Sequence, residues 1–71
     1  MFDRITFDPK IMGGRACIRG MRIPVSVIVS NIADGASFDE VLREFPALER
    51  EDVRQALGYA AALTQDEVIA S

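Results

Sequence analysis

The sequence has no histidine, no tryptophan and one cysteine, Cys17, among its 71 residues. With a lone cysteine an intramolecular disulfide is impossible, and without histidine the usual Cys/His zinc sites are excluded. The same lack leaves Cys17 without a histidine base, so no cysteine catalytic pair exists. Set between Ala16 and Ile18, it reads as a small buried hydrophobe. No phosphate-cradling glycine motif is present either, because Gly13-Gly14 leads into a strand rather than into Lys-Ser/Thr and a helix. The acidic side chains fall at helix starts and on polar faces, where capping accounts for them. No apolar run approaches the roughly 18 residues needed to span a bilayer. Met1-Phe2-Asp3-Arg4 lacks the charged-then-apolar order of a signal peptide. These absences predict a cytoplasmic, non-enzymatic protein without cofactor, metal or membrane association.

A hydrophobic fraction of 49% is that of a folded globular chain. The expected organisation is one domain over residues 1–71, a β arm and hairpin over 1–24 and a helical core over 25–71. A chain this short buries only about 60% of the surface its unfolded form exposes. With disulfides and zinc excluded, association with a second copy is the remaining route to stability, so a homodimer is expected. Charge divides along the same boundary, +3 over residues 1–24 and −6 over 25–71, for a total of −3. An acidic total argues against indiscriminate phosphate binding, which depends on clustered Lys and Arg. A local basic patch still acts within a Debye length of about 8 Å.

Ile5-Thr6-Phe7 alternates apolar and polar and predicts a short strand stopped by Asp8-Pro9. Ala16–Arg19 and Arg22-Ile23 flank Gly20-Met21, which predicts a hairpin with Gly20 at the first central position. That register sets Ile18 opposite Ile23 and Arg19 opposite Arg22. Facing like charges repel, so the arginines are either eased by an anion, a phosphate or a carboxylate of the acidic half, or solvated. Val25, Ile28, Val29 and Ile32 form an amphipathic helical stripe opened by Pro24 and closed at Asp34-Gly35. Ser37 and Glu40 predict a capping box for a second helix with core positions Phe38, Val41, Leu42 and Phe45, stopped by Pro46. A third helix is expected from Arg50 to Leu63, its apolar face made of Val53, Ala56, Leu57, Ala60 and Ala61. Its N-cap, Glu49, is a poor one. Thr64-Gln65-Asp66-Glu67 predicts another capping box and a short final helix through Val68 and Ile69.

Two stretches carry a family resemblance. One is Met12-Gly13-Gly14-Arg15-Ala16-Cys17-Ile18-Arg19-Gly20-Met21-Arg22-Ile23-Pro24-Val25. The other is Gly35-Ala36-Ser37-Phe38-Asp39-Glu40-Val41-Leu42, followed by Phe45-Pro46-Ala47-Leu48 and Glu51-Asp52-Val53. From Ile5 to about Ala62 the chain resembles the domain of unknown function 433 family. The resemblance implies a mainly α, trihelical helix-turn-helix core, homeodomain-like or winged-helix-like, behind a short N-terminal β arm. It also implies an antitoxin of VapB type, paired with a PIN-like ribonuclease toxin. Ala16 and Pro24 depart from the family's frequent proline and threonine, which loosens the approach to the strand and removes a helix N-cap.

In a helix-turn-helix the start of the second helix of the motif meets base edges in the major groove. The candidates for contact with double-stranded DNA are Arg50, Arg54 and Gln55, expected to be exposed. Arginine reads guanine and glutamine reads adenine by paired hydrogen bonds. Arg43 on the preceding helix is a candidate phosphate contact. Glu49, Glu51 and Asp52 crowd the same helix start and repel a DNA backbone. The competing expectation is therefore a solvated face with charge pairs such as Glu51–Arg54 and Glu40–Arg43–Glu44. Arg15, Arg19 and Arg22 are candidate contacts for an anion or a partner. Ile5, Phe7, Ile18 and Ile23 are candidate dimer contacts, because an arm has unpaired edges that a second copy satisfies. The alternative is an arm folded back over its own helices. Two functions follow: a DNA-binding autorepressing antitoxin, or a protein-interaction module whose acidic helical half binds a partner without touching DNA.

Overall fold

The computed structural model describes residues 2–65. Its regular elements are β1 (Ile5–Thr6), β2 (Cys17–Ile18), α1 (Val25–Ala33), α2 (Phe38–Glu44) and α3 (Arg50–Leu63). The architecture is mainly α, three helices behind a two-stranded antiparallel arm. The final helix expected through Val68 and Ile69 lies outside the described residues. No helix among those residues is long and apolar enough to cross a membrane.

Each helix begins and ends where local chemistry directs. Pro24 stands at the N-cap of α1 in extended conformation, where its missing N–H goes unused. Gly35, just past the helix, has φ +105°, a conformation that β-carbons disfavour. The capping box of α2 forms in full: Ser37 Oγ accepts from Glu40 N–H at 3.1 Å, and Glu40 Oε1 accepts from Ser37 N–H at 2.7 Å. The Glu49 start of α3 is less deficient than expected, because Asp52 Oδ2 accepts the Glu49 N–H at 2.8 Å.

The arm is folded back onto the helices. β1 pairs with β2 in the register Ile5↔Ile18 and Thr6↔Cys17, and Cys17 bridges Pro24 on its other side. Ile5 and Ile18 join Val25, Ile28, Val41, Leu48, Val53 and Ala56 in one buried cluster. Two of the four expected dimer residues, Ile5 and Ile18, are thus spent inside the chain's own core. Ile23 is partly buried against that core, and Phe7 remains 56% exposed. The physical reason is that α1 and α3 offer the arm an apolar surface within the same chain. In α3, Val53 and Ala56 are buried, whereas Ala61, expected on the apolar face, is exposed.

The hairpin keeps its expected register but not its expected turn. Ile18 N–H donates to Ile23 O at 3.1 Å, and Met21 N–H donates to Ile18 O at 2.8 Å. The central residues of the turn are therefore Arg19 and Gly20, with φ +47° and +73°. Two positive φ values are what a type I′ turn demands. Arg19 accepts this strain because both its ends are held: its N–H donates to Arg4 O at 2.8 Å, and its side chain reaches α3.

Candidate nucleic-acid interface at the third helix

The start of α3 is built around a carboxylate with no solvent exposure, Asp52 (0%). Its Oδ1 accepts from Arg19 Nε and from Arg4 Nη1, both at 3.1 Å. Its Oδ2 accepts from Arg19 Nη2 and from the Glu49 N–H, both at 2.8 Å. Burial pushes the Asp52 carboxyl upward, but the donors from Arg19, the Glu49 amide and Arg4 together outweigh it, leaving the group below its ordinary value. The same guanidiniums hold neighbouring groups in place. Arg19 Nη2 donates to Ala47 O at 2.8 Å, and Arg4 Nη1 donates to Glu49 Oε1 at 2.6 Å. Two cations from the arm therefore neutralise the acid that a DNA backbone would otherwise meet.

This arrangement separates the three arginines expected to contact an anion or partner. Arg19 has found its anion within the chain, a carboxylate of the acidic half. Arg15 and Arg22 are exposed, and Arg15 Nη2 donates only to Ser26 Oγ, at 3.3 Å, among the described residues.

Gln55 requires a correction, because it is 5% exposed rather than presented to solvent. Its Oε1 accepts the Arg4 N–H at 3.0 Å, while Nε2 donates to Asp3 Oδ1 at 2.8 Å and Glu51 Oε2 at 3.0 Å. Its amide ties the arm to α3, and with both Nε2 hydrogens donated it has none to give an adenine. The arm's return over α3 decided this, since the residue's neighbours in sequence give no sign of it.

Arg43, Arg50 and Arg54 are exposed, as expected. Arg54 forks onto Glu51 at 2.8 and 2.6 Å, the expected surface pair. This pairing and the Gln55 amide hold Glu51 at about 2, far below the usual carboxylate range. Arg50 Nη1 donates to Asp39 Oδ1 at 2.6 Å and lies over the Phe38 ring, 5.4 Å from its centre. The Glu40–Arg43–Glu44 pairs do not form; Glu40 is turned toward Ser37 instead. The face thus carries three arginines beside Asp39, Glu49 and Glu51, with Asp52 withdrawn beneath it.

Neither motif nor spacing singles out Arg4 and Asp3, which the structure brings to α3, or Tyr59 of that helix. Arg4 was detectable only as part of the positive charge of the arm facing an acidic half. Tyr59 is packed by Phe2 edge-on and by Phe7, each with ring centres 5.8 Å away, and nothing in its spacing announces that. No group of three Cys, Asp or Glu side chains among the described residues is placed to hold a metal ion.

Comparison with known proteins places this geometry among relatives. Residues 5–60 match the family model described as "Protein of unknown function (DUF433)". "Uncharacterized protein y4eO" of Sinorhizobium fredii is 38% identical over 58 residues, which cover 82% of this chain and 26% of that protein. The crystal structure of a DUF433 member from Anabaena variabilis superposes with a TM-score of 0.78 at 34% identity, covering 92% of this chain and 63% of that one. The chain therefore spans about a quarter of the first relative and under two thirds of the second.

Proposed function

The chain belongs to the DUF433 family, and we propose that it is a helix-turn-helix autorepressor of the antitoxin kind that binds operator DNA through the exposed arginines of α2 and α3. The observation that carries this reading is the position of Arg43, Arg50 and Arg54 on the outer side of the α2–turn–α3 unit, with Asp52 neutralised from within. Arg50 and Arg54 meet base edges and Arg43 a phosphate. Gln55 takes no part. The regulator works as a cytoplasmic homodimer, since two copies match two half-sites. Its second partner, a PIN-like toxin, comes from the family resemblance alone. With Ile5 and Ile18 committed to the core, dimer contacts fall on other surfaces.

A second reading rests on the acids of the same face. Arg50 and Arg54 already pair with Asp39 and Glu51, so a phosphate must displace a carboxylate to reach them. In that case the acidic helical half docks a basic protein and DNA is never bound.

Fluorescence anisotropy with the DNA upstream of the gene, beside a scrambled duplex and at two salt concentrations, separates the two. Under the first reading the native duplex is preferred, and affinity falls by about 0.9 log unit per log unit of salt for each neutralised phosphate. Arg54→Ala then weakens binding roughly tenfold and relaxes specificity at one base. Glu51→Gln, which leaves Arg54 uncommitted, tightens it. Absence of binding at low salt in both the wild type and Glu51→Gln would sink the DNA reading and leave the protein-binding one.

A further inference from the structure

The exposed strip of α3 that carries Arg50 and Arg54 has a different neighbour on each side. On one side is α2, tied to it by Asp39 on Arg50. On the other is the arm, tied to it by Asp3 on Gln55 and by Arg4 and Arg19 on Asp52. The hairpin tip also reaches the turn between α2 and α3, where Arg19 Nη2 donates to Ala47 O at 2.8 Å. The tip is fixed in that position, because the Arg19 N–H donates to Arg4 O and the Gly20 N–H to Thr6 Oγ1, both at 2.8 Å. Arg22 stands in the same tip, three residues after Arg19. It is exposed, and no described carboxylate pairs with it.

Charge sets this edge apart from the rest of the face. Between Asp8 and Asp34 the chain has Lys10, Arg15, Arg19 and Arg22 and no acid at all. Arg50 and Arg54 meet a phosphate only by giving up Asp39 and Glu51. Arg22 on the arm side, like Arg43 on the α2 side, has no carboxylate to give up. A guanidinium suits a phosphate because its N–H groups match two of the oxygens at once. A helix in the major groove lies between two phosphate backbones, with a groove about 12 Å wide between them. Arg43 serves the backbone on the α2 side, and the hairpin tip borders the other. We propose, building on the DNA-binding reading, that Arg22 contacts a phosphate of this second backbone, so that the hairpin tip and α2 hold the duplex from both sides of α3.

The test compares the full chain with Arg22→Ala, Arg22→Lys and Lys10→Ala by fluorescence anisotropy across a salt series. The probes are the duplex upstream of the gene and the scrambled duplex. In Arg22→Ala both duplexes bind more weakly by a common factor, and the salt dependence becomes shallower by about 0.9 log unit per log unit of salt. Preference for the upstream duplex is unchanged, since a phosphate carries no sequence. Arg22→Lys keeps the charge and most of the slope. Lys10→Ala removes the same charge from the connection beyond Thr6 and Cys17, at the end of the strand pair away from the tip, and keeps the wild-type slope. Circular dichroism and the urea midpoint check that each variant is folded. A wild-type slope in Arg22→Ala, in a protein that still prefers the upstream duplex, overturns the second contact and leaves the DNA reading standing. An equal loss of slope in Lys10→Ala also overturns it, because net charge rather than a contact is then being measured. Absence of wild-type binding at low salt removes the DNA reading and the second contact together.

Discussion

The two ends of α3 are made of the same helix but hold opposite kinds of surface. At the N-terminal end, Asp52 and Gln55 are buried polar groups, and each is hydrogen-bonded to the arm and to the helix start. At the C-terminal end, Tyr59 and Leu63 line an open apolar groove and Ala61 and Ala62 face solvent. A buried charge is tolerated only where paired, so the first end has one geometry available to it. Apolar contact is not directional, so the second end accepts an occupant by shape and area. In this molecule the polar end fixes where α3 sits, and the apolar end is where binding energy is still unspent.

The strongest test of that contrast removes the carboxylate. Asp52→Ala leaves Arg4 and Arg19 without their shared anion and opens a gap beneath the helix start. It should lower unfolding free energy by about 3 kcal/mol, read as a shift of the urea midpoint. Asp52→Asn keeps the shape and part of the hydrogen bonding and should fall between that variant and the wild type. A change within the error of the measurement for both would show that the arm is held by its isoleucines alone.

Acid probes the same end more gently. The carboxyls of Asp52 and Glu51 lie below their ordinary values, Glu51 at about 2. A depressed carboxyl contributes stability that is fully present above its unfolded value, near 4, and lost as pH falls through its folded value. Thermal melts should therefore stay level from pH 7 to about 5 and decline from about 4 toward 2. In Asp52→Ala the decline should be shallower, since one of the linked groups is gone. An equal slope in both proteins would assign the acid sensitivity to other carboxylates.

The smallest effect belongs to the open end. The last turn of α3 carries no basic residue, although its dipole favours one. Ala62→Lys on the exposed side should raise stability by about 0.5 kcal/mol at low ionic strength, and the gain should shrink with added salt. A destabilisation instead would mean that this side of the helix is already covered.

The helices were legible because their signals are local. The apolar stripe of α1, the Ser37–Glu40 box and the stop at Pro46 each involve residues within a turn or two of one another, and each element formed where these signals placed it. The candidate site was legible only in part. Arg43, Arg50 and Arg54 are exposed because they lie on the polar side of their helices, which periodicity reveals. Gln55 and Asp52 lie where the same periodicity allows exposure, yet both are buried by Asp3, Arg4 and Arg19. Those partners are 33 to 52 residues away. The hairpin shows the same limit, since the local residues allow Gly20-Met21 or Arg19-Gly20 as the centre of the turn. The distant Asp52, by holding the Arg19 side chain, favours the second.

The amino-acid sequence by itself determined the helices, their caps, the division of charge and the absence of a disulfide, because each depends on contacts within one turn or on residue content. Only the tertiary structure decided that the arm lies on its own helices rather than on a second copy, and that Asp52, among the described acids of the helical half, is buried and neutralised. Those outcomes depend on which apolar surface is nearest in space and on which cations it brings along. Neither is written in the spacing of neighbouring residues.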